Sequence, residues 1–220
     1  MPTRKVSEDL SREAFGLMGL TTRKVSLNSF ATGLGSLPDV DVVGLELPAE
    51  MEAAYDVHAT IYDRTLAYYF KKEFRMNELV SPILYEIIRH GEQISVPQYQ
   101  EALREQERLA ASMDELFRDY DVIVSLSTAG DAPLRDEREI PDPALMWTMT
   151  HLPVVSAPAF QSPDGLPFGV QLAARRYNDY LLFRFVNYLL ETQRIPEGAW
   201  PPVPLGAGVR AALQDAERVG

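Results

Sequence analysis

The run Tyr120-Asp121-Val122-Ile123-Val124-Ser125-Leu126 constrains the fold more than any other stretch. Successive residues of a strand point to opposite faces, and here Val122, Ile123, Val124 and Leu126 make both faces apolar. Such a strand needs helices above and below its sheet. The expected class is therefore α/β: a mixed β-sheet core flanked by helices.

Periodicity supplies the helices. From residue 49 to about residue 74, Met51, Tyr55, His58, Tyr62, Leu66 and Tyr69 recur every three or four positions. That spacing predicts one long amphipathic helix with this stripe turned inward. Residues 81–90 read as a second helix, opened by Pro82 and stopped by Gly91. A third starts at the N-cap Ser95, followed by Pro97, with Tyr99, Leu103, Leu109, Met113, Leu116 and Phe117 on its apolar face. Residues 179–192 read as the last helix. Before these elements, residues 7–18 read as a short helix, 24–30 as a strand and 30–39 as a Gly/Pro-rich connector. Residues 40–48 read as a strand ended by Pro48. Residues 128–144 read as a loop, and Trp147 as a loop residue before a buried strand. Two short buried strands, 152–158 and 168–173, flank a Gly-Leu-Pro turn at residues 165–167. No internal repeat is present.

Composition removes several function classes. The chain has 220 residues, 46% hydrophobic and 24% charged, enough to bury a sizeable core. Its net charge is −11 and no basic run exceeds a pair, so neither a nucleic-acid surface nor an anionic membrane is an expected partner. Cysteine is absent, which excludes disulfides, thiolate metal ligands and cysteine nucleophiles. His58, His90 and His151 lack metal-ligand spacing, so no metal and no cofactor is expected. No apolar run approaches the length of a membrane span and no leader precedes the first element, so the chain reads as soluble and cytoplasmic.

Single residues leave alternatives open. Gln171 stands in the apolar strand 168–173 and must satisfy a buried carboxamide, either by capping a nearby loop carbonyl or by facing a site. Trp147 reads equally as core packing or as the lining of a pocket. His58 reads as a satisfied core or edge histidine. Tyr68, Tyr69 and Phe70 beside Lys71 read as core, with a partner-facing surface as the alternative. Ser127, His151 and Asp131 compose a triad on paper, yet no Gly-x-Ser-x-Gly elbow presents the serine.

The order of these motifs carries a resemblance. A long helix leads to Asp-Val-Ile-Val-Ser-Leu-Ser-Thr (residues 121–128), then a polar loop with Asp-Ala-Pro (131–133). Trp-Thr-Met-Thr-His-Leu-Pro-Val-Val-Ser-Ala-Pro (147–158) and Gly-Leu-Pro-Phe-Gly-Val-Gln-Leu (165–172) follow. This resembles the C-terminal half of the amidase signature family over residues 39–192. Ser127 departs from the proline usual before the threonine, here Thr128, and His151 departs from a usual glycine. The resemblance implies amide (C–N bond) hydrolysis by a serine, a second serine in cis-peptide linkage and a lysine base. Those residues sit in a Gly/Ser-rich segment, but this sequence has no Gly-Gly or Ser-Ser pair. Its lysines are Lys5 in a frayed terminus, Lys24, and Lys71 and Lys72 on a polar stretch of helix.

No catalytic residue is therefore assigned. The resemblance implies a pocket wall built from Ser127, Thr128, Trp147, Thr148, Met149 and Gln171. It also implies an N-terminal segment (1–38), an amidase-like domain (39–193) and a Pro/Gly-rich tail (194–220) expected as an extended surface arm. The expected partner is a complementary N-terminal amidase chain or a second copy of this one, with a small amide substrate in the assembled enzyme. The alternative is a non-catalytic binding or regulatory module on the same scaffold.

Overall fold

A computed structural model describes residues 4–9, 20–76, 80–128, 143–162 and 166–196. Its centre is a five-stranded mixed sheet in the order β2-β1-β3-β5-β4, with β1 Arg4–Asp9, β2 Val40–Leu45, β3 Val122–Leu126, β4 Val154–Gln161 and β5 Pro167–Ala174. β1 pairs in parallel with β2 and β3. β5 is antiparallel to both β3 and β4. The apolar β3 thus has a strand on each side, as its sequence requires.

Two cores follow from the alternation of side chains. On one face Val122, Val124, Val170, Leu172 and Ala157 pack with Leu27 and Leu34 of α1 (Leu20–Gly35) and with Leu182, Phe185 and Leu189 of α7 (Asp179–Glu191). On the other face Ile123 and Ala173 meet α2 (Ala54–Tyr69), α5 (Val96–Leu116) and α6 (Ala144–Met149). The result is a three-layer helix–sheet–helix sandwich. Among the described residues no helix is long and apolar enough to cross a membrane.

The marked helix starts are found where the sequence puts them. Ser81 caps α4 (Pro82–Gln93), accepting from the Leu84 amide at 3.2 Å. Ser95 and Gln98 form a reciprocal capping box on α5. The Ser95 amide donates to Gln98 Oε1 at 2.9 Å and the Gln98 amide to Ser95 Oγ at 3.4 Å. Ser95→Ala removes one half of this exchange, and a loss of about 1 kcal/mol in urea unfolding is expected.

Several elements depart from expectation. Residues 7–9 belong to strand β1 rather than a helix, while 10–18 lie outside the described residues. Lys5 accordingly lies in β1 and not in a frayed end. Residues 24–30, read as a strand, lie in α1, because Leu27, Ala31 and Leu34 recur with helical spacing and bury together. The connector before β2 shrinks to a turn at residues 36–39.

The long helix after β2 breaks into a 3₁₀ turn Ala49–Ala53, α2 and α3 (Lys71–Phe74). Its face is also rotated. Ala54, Val57 and Ala67 point inward, leaving Tyr62, Tyr68 and Tyr69 exposed. Small residues win because α4 and α5 press closely on α2. Gly91 does not stop α4. It lies inside the helix, where a Cβ would overlap the Asp63 carbonyl and come within 3.0 Å of Ala67 Cβ. Trp147 lies in α6, not in a loop. Of the tail, residues 197–220 lie outside the described residues, as do 129–142 of the polar loop.

Candidate functional site

The helix-covered face of the sheet changes character along β3 and β5. Ser125 pairs with Gln171, and Gln171 pairs in turn with Ser156 of β4. Residues paired across a ladder share a face, so these three side chains form one polar row beside the apolar Ile123 and Ala173. The Ser127 amide donates to the Gly169 carbonyl at 2.8 Å, extending the ladder by one pair. A Cβ on residue 169 would overlap the Ala157 carbonyl and approach Ser127 Oγ at 3.2 Å, so only glycine fits there. β4 bulges between Ala157 and Phe160 at that place.

Helix α6 lies over this row. Trp147 is 1% exposed, and its indole Nε1 donates to Ser125 Oγ at 3.3 Å. Ser125 Oγ donates its own proton to the Leu126 carbonyl, also at 3.3 Å. Gln106 of α5 anchors the far end of α6 by donating Nε2 to the Met149 carbonyl at 2.9 Å. Thr150, fully buried, returns its hydroxyl to the Met146 carbonyl at 2.7 Å.

The chain leaves α6 through His151, whose φ is 58°. The His151 amide donates to Thr148 O and the Leu152 amide to Trp147 O, a Schellman cap with histidine in the left-handed position. Glycine takes that conformation at no steric cost, which gives a physical reason for glycine as the usual residue here.

The six wall residues are not placed alike. Ser127, Trp147 and Gln171 gather at the polar row. Met149 points from α6 into the core, and Thr148 and Thr128 are exposed. The hydroxyls Ser125 and Ser156, which complete the row, were not singled out from the sequence. The pattern Ser125-x-Ser127 carried the signal, since strand residues two apart share a face. Asp131 lies outside the described residues, and His151 is exposed.

Charge enters at the other end of β5. Arg176 donates to Asp114 of α5 through Nε at 3.0 Å and Nη2 at 2.5 Å. These bonds, first among the causes, raise the Arg176 pKa above its usual value. Arg175 Nε stands 3.7 Å from the second Asp114 oxygen. The pair ties the exit of β5 to α5. On α2, partial burial lowers the His58 pKa, and the ring stacks on Tyr62 with centroids 5.4 Å apart. Among the described residues no three His, Asp or Glu side chains cluster as metal ligands.

Comparison with known proteins agrees with this architecture. The A-subunit of glutamyl-tRNA(Gln) amidotransferase from Brachyspira hyodysenteriae is 27% identical over 111 residues, 46% of this chain and 23% of that protein. Its counterpart from Limosilactobacillus reuteri is 27% identical over 103 residues, 42% of this chain and 21% of its own. A solved amidase superposes with a TM-score of 0.76 at 18% identity, covering 89% of this chain and 46% of that one. For 6-aminohexanoate cyclic dimer hydrolase the TM-score is 0.71 at 17% identity, with 92% and 47% covered. The chain thus spans under a quarter of the curated relatives and about half of the solved chains. The family profile described as Amidase matches residues 40–183, well over half of the sequence, and the chain belongs to that family.

Proposed function

We propose that this chain supplies the C-terminal scaffold and part of the substrate-pocket wall of an amide-hydrolysing enzyme. The nucleophilic serine and its base come from a segment outside these 220 residues, on the same polypeptide or on a separate one. The observation that supports this is the polar row Ser125–Gln171–Ser156 with Ser127, set at one end of an otherwise apolar sheet face and roofed by Trp147. A serine hydroxyl needs a positioned base and oxyanion donors to react, which the resemblance places in a Gly/Ser-rich segment that these 220 residues lack. The cytoplasmic setting and a small amide as substrate belong to the same proposal.

A second reading has its own support. Helices already cover both faces of the sheet, which suits a self-sufficient, non-catalytic binding or regulatory module. The edge strands β2 and β4 distinguish the two, because an unpaired edge invites a partner strand. Pro158 blunts the β4 edge, whereas β2 has no proline.

The test is ammonia release from a panel of simple amides by the purified chain. No turnover is expected, and turnover that disappears in Ser127→Ala would overturn the proposal. Light scattering at micromolar concentration separates the readings: a stable monomer favours the module, and a stoichiometric complex favours the assembled enzyme.

A further inference from the structure

Gln171 is only 8% exposed, and its Oε1 is buried without a hydrogen-bond partner. A buried acceptor left unmet costs roughly tenfold in the folding equilibrium, so its persistence calls for a compensating use. One other buried side-chain oxygen among the described residues shares this state, Asp114 Oδ1. That atom has Arg175 Nε at 3.7 Å to balance its charge. Gln171 has no such compensation.

The neighbouring hydroxyl is already committed. Ser125 lies directly across the ladder from Gln171, on the same face. A serine hydroxyl has one proton, and Ser125 Oγ stands 3.3 Å from the Leu126 carbonyl oxygen. Trp147 Nε1 occupies an acceptor position on the same oxygen and holds it under α6. The Ser125 hydroxyl is placed to donate to the Leu126 carbonyl, and no hydrogen bond joins it to Gln171 Oε1. On the other side of the row, Ser156 is exposed, so the row opens to solvent from β4. The last torsion of a glutamine is broad and two-fold, which lets the carboxamide turn toward that opening.

We propose that Gln171 is a specificity-determining residue: its carboxamide oxygen receives the N–H of an amide ligand and so selects amides over the matching esters. The inference rests on the amide-hydrolase reading and deepens it. An amide nitrogen offers the donor that Oε1 lacks. An ester oxygen has no hydrogen and leaves the buried acceptor unmet. A site built around a hydrogen bond rejects the analogue lacking it far more strongly than an apolar pocket rejects a small change in size. The acceptor is uncharged, so the favoured ligand is a neutral amide.

The experiment titrates the isotope-labelled 220-residue chain with benzamide and with methyl benzoate. It follows the Gln171 side-chain NH₂ resonances and compares wild type with Gln171→Met, an apolar side chain of similar shape. Wild type is expected to bind benzamide at least about tenfold more tightly than methyl benzoate, with the Gln171 resonances moving. In Gln171→Met the two probes converge to within about twofold, and the free variant melts at or above the wild-type temperature, having no bond to lose. A preference for benzamide that survives in Gln171→Met overturns the inference. A variant that melts lower or fails to fold also overturns it, because the carboxamide then has an internal partner; Ser156→Ala, melting lower as well, would identify that partner. Equal binding of both probes to wild type sinks the inference and leaves the amide-hydrolase reading standing. Binding of neither probe sinks the inference and leaves the amide-hydrolase reading, which needs a further segment, standing.

Discussion

Trp147→Ala is expected to destabilise the chain by about 3–5 kcal/mol, the range for emptying a large aromatic from a packed core. Trp147 is 1% exposed and sits among Met146, Met149, Ile123 and Ala173, where α6 meets the sheet. Its indole also holds the Ser125 hydroxyl, so truncation leaves both a cavity and a loosened polar row. Natural domains hold only about 5–15 kcal/mol in total, and the melting temperature falls by roughly 10 °C or more. Circular dichroism in urea is the suitable measurement, because the substitution removes one of the two tryptophans and perturbs fluorescence directly. Trp147→Phe keeps most of the volume and is expected to cost much less. A loss under about 1 kcal/mol for the alanine variant would restore Trp147 to the wall of an open pocket.

The second large effect is a reversal of sign. Gly→Ala inside a helix ordinarily stabilises by up to about 1 kcal/mol, because alanine restricts the unfolded chain and favours the helix. Gly33 of α1 meets that condition: the nearest atom to an added Cβ is the flexible Arg194 Nη1 at 3.5 Å. Gly33→Ala should raise stability. Gly91 of α4 faces the backbone of α2, and an added Cβ would overlap the Asp63 carbonyl oxygen. Backbone cannot rotate aside as a side chain does. Gly91→Ala should therefore lose roughly 1–3 kcal/mol or more as the helices are forced apart. Paired urea titrations of the two variants read the result. A gain in Gly91→Ala would contradict the close approach of α2 and α4, and a loss in Gly33→Ala the open space beside α1.

These two helices also show what the sequence made legible. Strands β3 and β5 were readable because apolar residues cluster within short runs bounded by turn residues, whereas β4, read as buried, is a half-exposed edge strand. The start of α4 was readable from Pro82 and the cap of α5 from Ser95, because both act through local chemistry. The face of α2 was not readable, since large apolar residues were assumed to point inward. Close helix packing instead selects Ala54, Val57 and Ala67, leaving Tyr62 and Tyr69 at the surface. Gly91 has the same origin: a glycine demanded by a neighbouring backbone looks like a stop signal in one dimension. α1 was hidden because Val25 and Phe30 favour strands while the helical spacing of Leu27, Ala31 and Leu34 is subtle. At the candidate site Gln171 stood out as a lone polar residue in an apolar run. Ser125 and Ser156 did not, because their significance depends on the register that aligns them with it.

Strand β1 reads Arg-Lys-Val-Ser-Glu-Asp, a composition that gives little inducement to fold early. It lies between two strands that reach it from very different distances along the chain: Val6 pairs with Val42 on one side and Val122 on the other. Both pairings are parallel, so neither forms by a hairpin closing on itself. The second pairing joins residues 6 and 122, across more than half of the 220 residues. Closing so large a loop comes before any reward from the contact, and such non-local pairings fold slowly. Without β1, the facing edges of β2 and β3 would both be open at the centre of the sheet, the kind of surface on which chains associate.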